Sequence, residues 1–178
     1  MSAVTEPNPK AVLIGPPGSG KSTVGRLLAE RLGCAFTDAD ADVEAAEGRR
    51  ISDIFTEDGE PYFREVEERV IAERLDRHDG VFSLGGGAVL SAVTRKRLAG
   101  HTVVFLNVGL TVGMRRTGLS TARPLLAGVN PRATFKTLLA ERLPLYREVA
   151  TIEVDTDERT PDEVVDEILM LHTKEGQR

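Results

Sequence analysis

Residues Gly15 to Thr23 read GPPGSGKST. An apolar run, Ala11-Val12-Leu13-Ile14, leads into them, and Val24-Gly25-Arg26-Leu27-Leu28-Ala29 follows. That order is strand, glycine-rich turn, helix. Gly15, Gly20, Lys21 and Ser22 fit G-x-x-x-x-G-K-[ST], the phosphate-binding P-loop. The spacing has a chemical reason. Gly15, Gly18 and Gly20 let the backbone turn tightly and bring N–H groups close to a polyphosphate. The helix that follows aims its unpaired N–H groups and positive dipole end at the same anion. Lys21 reaches the β- and γ-phosphates, and the Ser22 hydroxyl suits Mg²⁺. The alternative is a glycine-rich turn with an exposed lysine, but a chance match is on the order of one in a hundred at average residue frequencies.

Working outward, the alternation of apolar runs and helical periodicity predicts an α/β fold: a P-loop three-layer sandwich with five parallel strands and helices on both faces. Strands are expected over 10–14, 34–37, 81–84, 102–107 and 151–154. Helices are expected over 20–32, 39–47, 51–55, 60–75, 91–98, 110–116, 132–149 and 161–171. Gly33 and Gly48 are natural stops, and Pro161 suits a first helical turn. Residues 1–9 are expected to be a disordered tail, 10–172 a single domain and 173–178 a polar tail. Residues 118–131 hold four Gly/Pro residues and Arg123, and read as a lid. Ligands in such sheets bind beyond the carboxyl ends of the strands. The P-loop, Asp38 with Asp40, Gly85-Gly86-Gly87 and the loop after Val154 are all strand-following, so they are expected to meet at one edge.

Composition narrows the partners. The chain has 178 residues and a formal net charge of -5, so neither nucleic acid nor an anionic membrane is an expected partner. No apolar stretch approaches the roughly 20 residues needed to span a bilayer. No secretory signal is visible, and the single Cys34 excludes an internal disulfide and suits a reducing cytosol. Cys34 is expected to be a buried strand thiol. His78, His101 and His172 show no metal-ligand spacing.

Asp38-Ala39-Asp40-Ala41-Asp42 puts carboxylates at alternating positions past the second strand. In an extended chain residues i and i+2 face one way. One acid can hold the water shell of Mg²⁺ and the other accept a proton from an attacking hydroxyl. The competing reading is that the acids only open a helix; Asp42 is expected to do that. Three consecutive glycines, Gly85 to Gly87, point to close approach by a ligand or another backbone. No acid stands in Ser83-Leu84-Gly85, where P-loop enzymes often carry a metal-holding one, so Asp38 is left for that role. Arg123 in the lid suits stabilisation of transferring phosphate. Arg64 and Arg142 lie on different helices; helix arginines are normally solvated, but converging forks would grip a carboxylate.

These features occur together with Asp58-Gly59-Glu60-x-x-Phe63-Arg64-x-x-Glu67, Arg123-Pro124-Leu125-Leu126, Arg142-x-Pro144-x-Tyr146 and Asp155-Thr156-x-x-Arg159. In order and spacing the set resembles the shikimate kinase family from about Lys10 to Leu171. The resemblance implies a nucleoside-monophosphate-kinase-like fold with a substrate-binding segment near 39–75. It implies MgATP-dependent phosphorylation of the 3-hydroxyl of shikimate, on the route to chorismate and the aromatic amino acids. It places shikimate on Asp40, Arg64, Gly86 and Arg142, with Gly85 and Gly87 beside them and Phe55 and Phe63 walling the ring. Asp40 would be the base, helped catalytically by Lys21 and Arg123. Gly18, Ser19, Gly20, Lys21, Ser22 and Thr23 would hold the phosphates, with Ser22 and Asp38 at Mg²⁺. Arg116 and Arg159 would flank the adenine near Pro161. The resemblance also implies a cytoplasmic monomer. The alternative acceptors are gluconate or a nucleoside monophosphate; a nucleotide switch of another class would show no acceptor-stimulated turnover.

Overall fold

The structure is a computed structural model and describes residues 9–117 and 130–177. Five parallel strands form one sheet: β1 (Ala11–Ile14), β2 (Phe36–Asp38), β3 (Val81–Ser83), β4 (Val103–Asn107) and β5 (Ile152–Asp155), in the order β2-β3-β1-β4-β5. The apolar runs that lack alternation are the inner strands, because both their faces are covered. All four residues of β1 are buried, whereas edge strand β5 buries Ile152 and Val154 and exposes Glu153 and Asp155.

The helices are α1 (Lys21–Leu32), α2 (Ala39–Glu47), α3 (Ile51–Glu57), α4 (Gly59–Leu75), α5 (Ala92–Arg97), α6 (Leu110–Thr117), α7 (Pro131–Val149) and α8 (Pro161–Glu175). On one face of the sheet Leu13, Val104 and Val154 pack with Leu28 of α1 and Ile168 of α8. On the other, Val12, Phe82 and Phe105 pack with Ile71 of α4 and Tyr146 of α7. A separate small core of Val43, Ile54, Phe63, Val66 and Val70 holds α2, α3 and α4 together. Among the described residues no helix is long and apolar enough to cross a membrane.

Local chemistry sets the ends. Gly33 and Gly48 stop α1 and α2 at φ 66°, a left-handed turn that glycine takes without a Cβ clash. Asn130 caps α7 by accepting from Ala133 N–H at 3.1 Å, with Pro131 in its first turn. The expected lid therefore ends one residue early, and its remainder, 118–129, lies outside the described residues, as does the expected tail except Pro9. At the other end α8 runs on to Glu175, four residues past the expected stop and through half of the expected polar tail. Extending an existing helix fixes one residue per hydrogen bond, so polar residues continue it readily. Cys34 is half-buried and precedes β2 instead of lying in it. A 3-10 turn at Ala88–Leu90, absent from the expected elements, carries the chain from the glycine triplet to Ser91.

Candidate active site

The P-loop leaves the centre of the sheet and turns into α1. Gly18 and Gly20 have φ of 81° and 85°. A Cβ on Gly18 would lie 2.7 Å from Gly113 O, so glycine is needed there for space as well as for backbone conformation. The Lys21 ammonium donates to Gly15 O at 2.7 Å and Pro16 O at 3.1 Å, which curls the loop around its own cation. Ser19 is buried at 1% exposure, and its Oγ has no hydrogen-bond partner among the described residues.

Asp38, the last residue of β2, meets the start of α1. Its Oδ2 accepts from the Ser22 hydroxyl at 3.1 Å and its Oδ1 from the Asp40 N–H at 2.8 Å. The expected extended pair is therefore corrected: Asp38 caps α2 and Asp40 already lies in the helix. Both acids still line one cleft of about 390 Å³ with Gly18, Gly20, Lys21, Ser22, Thr23 and Arg116. Burial, and next the neighbouring Asp40 charge, push the Asp38 carboxyl above the usual carboxylate range; the bonds from Asp40 N–H and Ser22 and the Lys21 charge oppose this. Asp42 instead forms a two-pronged pair with Arg74 of α4, at 2.9 and 2.7 Å.

Arg116 bridges two loops at the cleft. It donates to Gly18 O at 3.0 Å, Thr156 Oγ1 at 3.3 Å and Thr156 O at 3.2 Å, tying the P-loop to the loop after β5. Asp157 in that loop accepts from Gly109 N–H with both oxygens, at 3.0 and 3.1 Å. Arg159 does not line the cleft and pairs with Glu167 of α8. Arg123 lies outside the described residues.

Arg64, Arg142 and the glycine triplet do not line the phosphate cleft. Arg64 pairs with Glu60 at 3.3 Å and with the buried Glu67 at 3.0 Å, facing a hollow of about 260 Å³ between α4 and the 88–91 turn. Its guanidinium rests on Gly87, where a Cβ would lie 2.4 to 2.6 Å from Nη2, Nη1 and Cζ. A Cβ on Gly86 would lie 3.0 Å from Pro17 Cδ of the P-loop. None of the three glycines has positive φ, so close approach explains the two for which contacts are given. Arg142 is 5% exposed and lies one turn before Tyr146, whose hydroxyl reaches Gly86 O. Phe55 and Phe63 pack with ring centroids 4.8 Å apart and planes tilted by 38°.

Ser83 and Thr117 also line the phosphate cleft and were not expected there. Ser83 stands beside Asp38 in register at the end of β3. The signal available in the sequence was the missing acid in Ser83-Leu84-Gly85; a hydroxyl stands in its place.

A family model described as shikimate kinase matches residues 17–172. This chain belongs to the shikimate kinase family. Relatives of that name agree: the shikimate kinase of Saccharopolyspora erythraea is 67% identical over 162 residues, covering 91% of this chain and 93% of that one. The shikimate kinase of Mycobacterium avium is 59% identical over 157 residues, covering 88% and 89%. The solved shikimate kinase from Acinetobacter baumannii in complex with shikimate superposes with a TM-score of 0.92 at 38% identity, covering 98% of this chain and 97% of that one. The enzyme is thus an ATP-using kinase of shikimate, and its fold is that of the nucleoside-monophosphate-kinase-like P-loop proteins.

Proposed function

We propose that the chain transfers the γ-phosphoryl group of ATP to the 3-hydroxyl of shikimate in the cleft between the P-loop and α2, on the route to chorismate. The observation that carries this assignment is the placement of Asp38 and Asp40 in one cleft with Lys21 and Ser22. Phosphoryl transfer needs little covalent help; positioning and neutralisation of charge supply most of the rate. Gly18 to Thr23 hold the phosphates through backbone N–H groups and the α1 dipole. On reaching a phosphate, Lys21 exchanges carbonyl partners for an anion. Asp40 orients the attacking hydroxyl and takes its proton. Arg64 and Arg142 hold the carboxylate with Gly86 and Gly87 beside them, and Gly85 begins that turn. Arg116 and Arg159 serve the adenine end, which requires Arg159 to leave Glu167. Arg123, by resemblance, neutralises the transferring group.

The Ser22–Asp38 pair fits a hard divalent cation: two oxygen donors 3.1 Å apart, one a carboxylate whose burial disfavours its charge. No cluster of three or more metal-binding side chains occurs among the described residues, which suits Mg²⁺ held largely by phosphate and water. When bound, Mg²⁺ supplies charge neutralisation at the β- and γ-phosphates. We further propose a cytoplasmic monomer. A gluconate or nucleoside monophosphate acceptor is not favoured, since relatives at 59% and 67% identity are shikimate kinases. The test is ADP release from MgATP with shikimate, gluconate, a nucleoside monophosphate or no acceptor. Shikimate alone is expected to stimulate it, and equal stimulation by another acceptor would sink the assignment.

A further inference from the structure

Tyr146 is left unused by the roles assigned above. It is 1% exposed and stacks on Phe105 of β4, with ring centroids 4.9 Å apart and planes at 23°. Phenylalanine would fill that part of the core equally well. What phenylalanine lacks is the hydroxyl, which donates to Gly86 O at 2.5 Å from within the buried cluster.

We propose that Tyr146 is a positioning residue for the acceptor: its hydroxyl sets the orientation of the Gly86–Gly87 peptide and thereby the direction in which the Gly87 N–H faces the acceptor carboxylate. A trans peptide is planar, with C=O and N–H pointing in opposite directions. Drawing Gly86 O toward α7 turns the Gly87 N–H to the far side. The triplet does not fix this plane by itself, because glycine has the widest backbone freedom. The flanking peptides are pinned: Leu84 N–H donates to Leu13 O at 3.0 Å, Ala88 N–H to Gly85 O at 3.1 Å and Leu90 N–H to Gly87 O at 3.1 Å. No backbone carbonyl of a described residue accepts from the Gly86 or Gly87 N–H, which suits donation to a ligand. The same peptide is the seat of two other groups. Arg64 rests on Gly87, and Gly86 rests on Pro17 of the P-loop. One phenol thus holds the point where the acceptor group meets the phosphate loop.

The proposal rests on the reading that Arg64, Arg142 and the glycine triplet hold the acceptor, and its test separates the two. Tyr146→Phe keeps the ring and removes the hydroxyl. Shikimate KM is expected to rise about tenfold, with kcat and the ATP Kd measured without acceptor each changing less than about threefold. The Gly87 amide resonance is expected to move in the ligand-free protein. Phe105→Leu loosens the stacking and keeps the hydroxyl; it is expected to lower Tm while leaving shikimate KM within about twofold. Unchanged shikimate KM in Tyr146→Phe, an equal loss of ATP binding, or an equal KM rise in Phe105→Leu would each overturn the role. Arg64→Ala is run alongside. If it leaves shikimate KM unchanged, the acceptor site itself is wrong and the proposal falls with it; if it raises KM while Tyr146→Phe is silent, only the tyrosine's role falls.

Discussion

The phosphate side and the acceptor side of this molecule are built on different plans. The proposed phosphate grip is one continuous stretch, Gly15 to Thr23, shaped by glycine φ angles and the start of α1. The proposed acceptor group draws side chains and glycines from α2, α4, the turn after β3 and α7, spread over about a hundred residues of chain. The first is secured by local stereochemistry. The second depends on contacts between distant residues, such as Arg64 against Gly87 and the Tyr146 hydroxyl on Gly86 O. A local device tolerates change elsewhere; a packed one transmits it.

That contrast can be broken by variants. The largest effect is expected for Asp40→Asn, which keeps the shape of the α2 start and removes the proton acceptor. Its kcat is expected to fall about 10²- to 10⁴-fold with shikimate binding little altered; near-normal turnover would remove Asp40 as base. Arg64→Ala is expected to raise shikimate KM by about 10- to 100-fold, the size of a lost charge-assisted fork, while ATP binds as before. Equal damage to both substrates would show that the two sides are not separable. Gly18→Ala tests the other side. A Cβ would meet Gly113 O in a left-handed conformation costing about 1–2 kcal/mol by itself, so Tm is expected to fall and ATP affinity to drop about tenfold or more. Shikimate binding alone, read by calorimetry, is expected to be unaffected.

The smallest effect concerns Asp38 and sharpens the comparison through pH. Its carboxyl is raised in the folded protein, mainly by burial. The folded state therefore binds this proton more tightly than the unfolded state does. The stabilisation is fully present below the ordinary carboxylate pKa and is lost as pH climbs through the raised value. Ligand-free wild type is expected to lose a few degrees of Tm across that window, and Asp38→Asn to lose less. Identical Tm profiles for the two proteins would refute the shift.

The P-loop and the parallel sheet were readable because each rests on short-range rules: glycine spacing, apolar runs of strand length, proline and glycine at helix ends. Asp38 and Asp40 were readable as a pair, but for a reason that fails. They do not share a side of an extended chain; α2 begins at Ala39, and the helix cap itself brings Asp38 to Ser22. The pairing of Arg159 with Glu167 and the reach of Tyr146 to Gly86 left no local trace, and Ser83 showed only as the absence of an acid at the end of β3.

The sequence by itself determined the turn at the end of β1 to which we assign the phosphates, because a bent glycine backbone and the start of a helix need no distant partner to form. Only the tertiary structure decided which arginine rests on which glycine, and which hydroxyl holds the peptide between them. Those contacts join residues far apart in the chain, and their geometry follows from how the helices settle on the sheet.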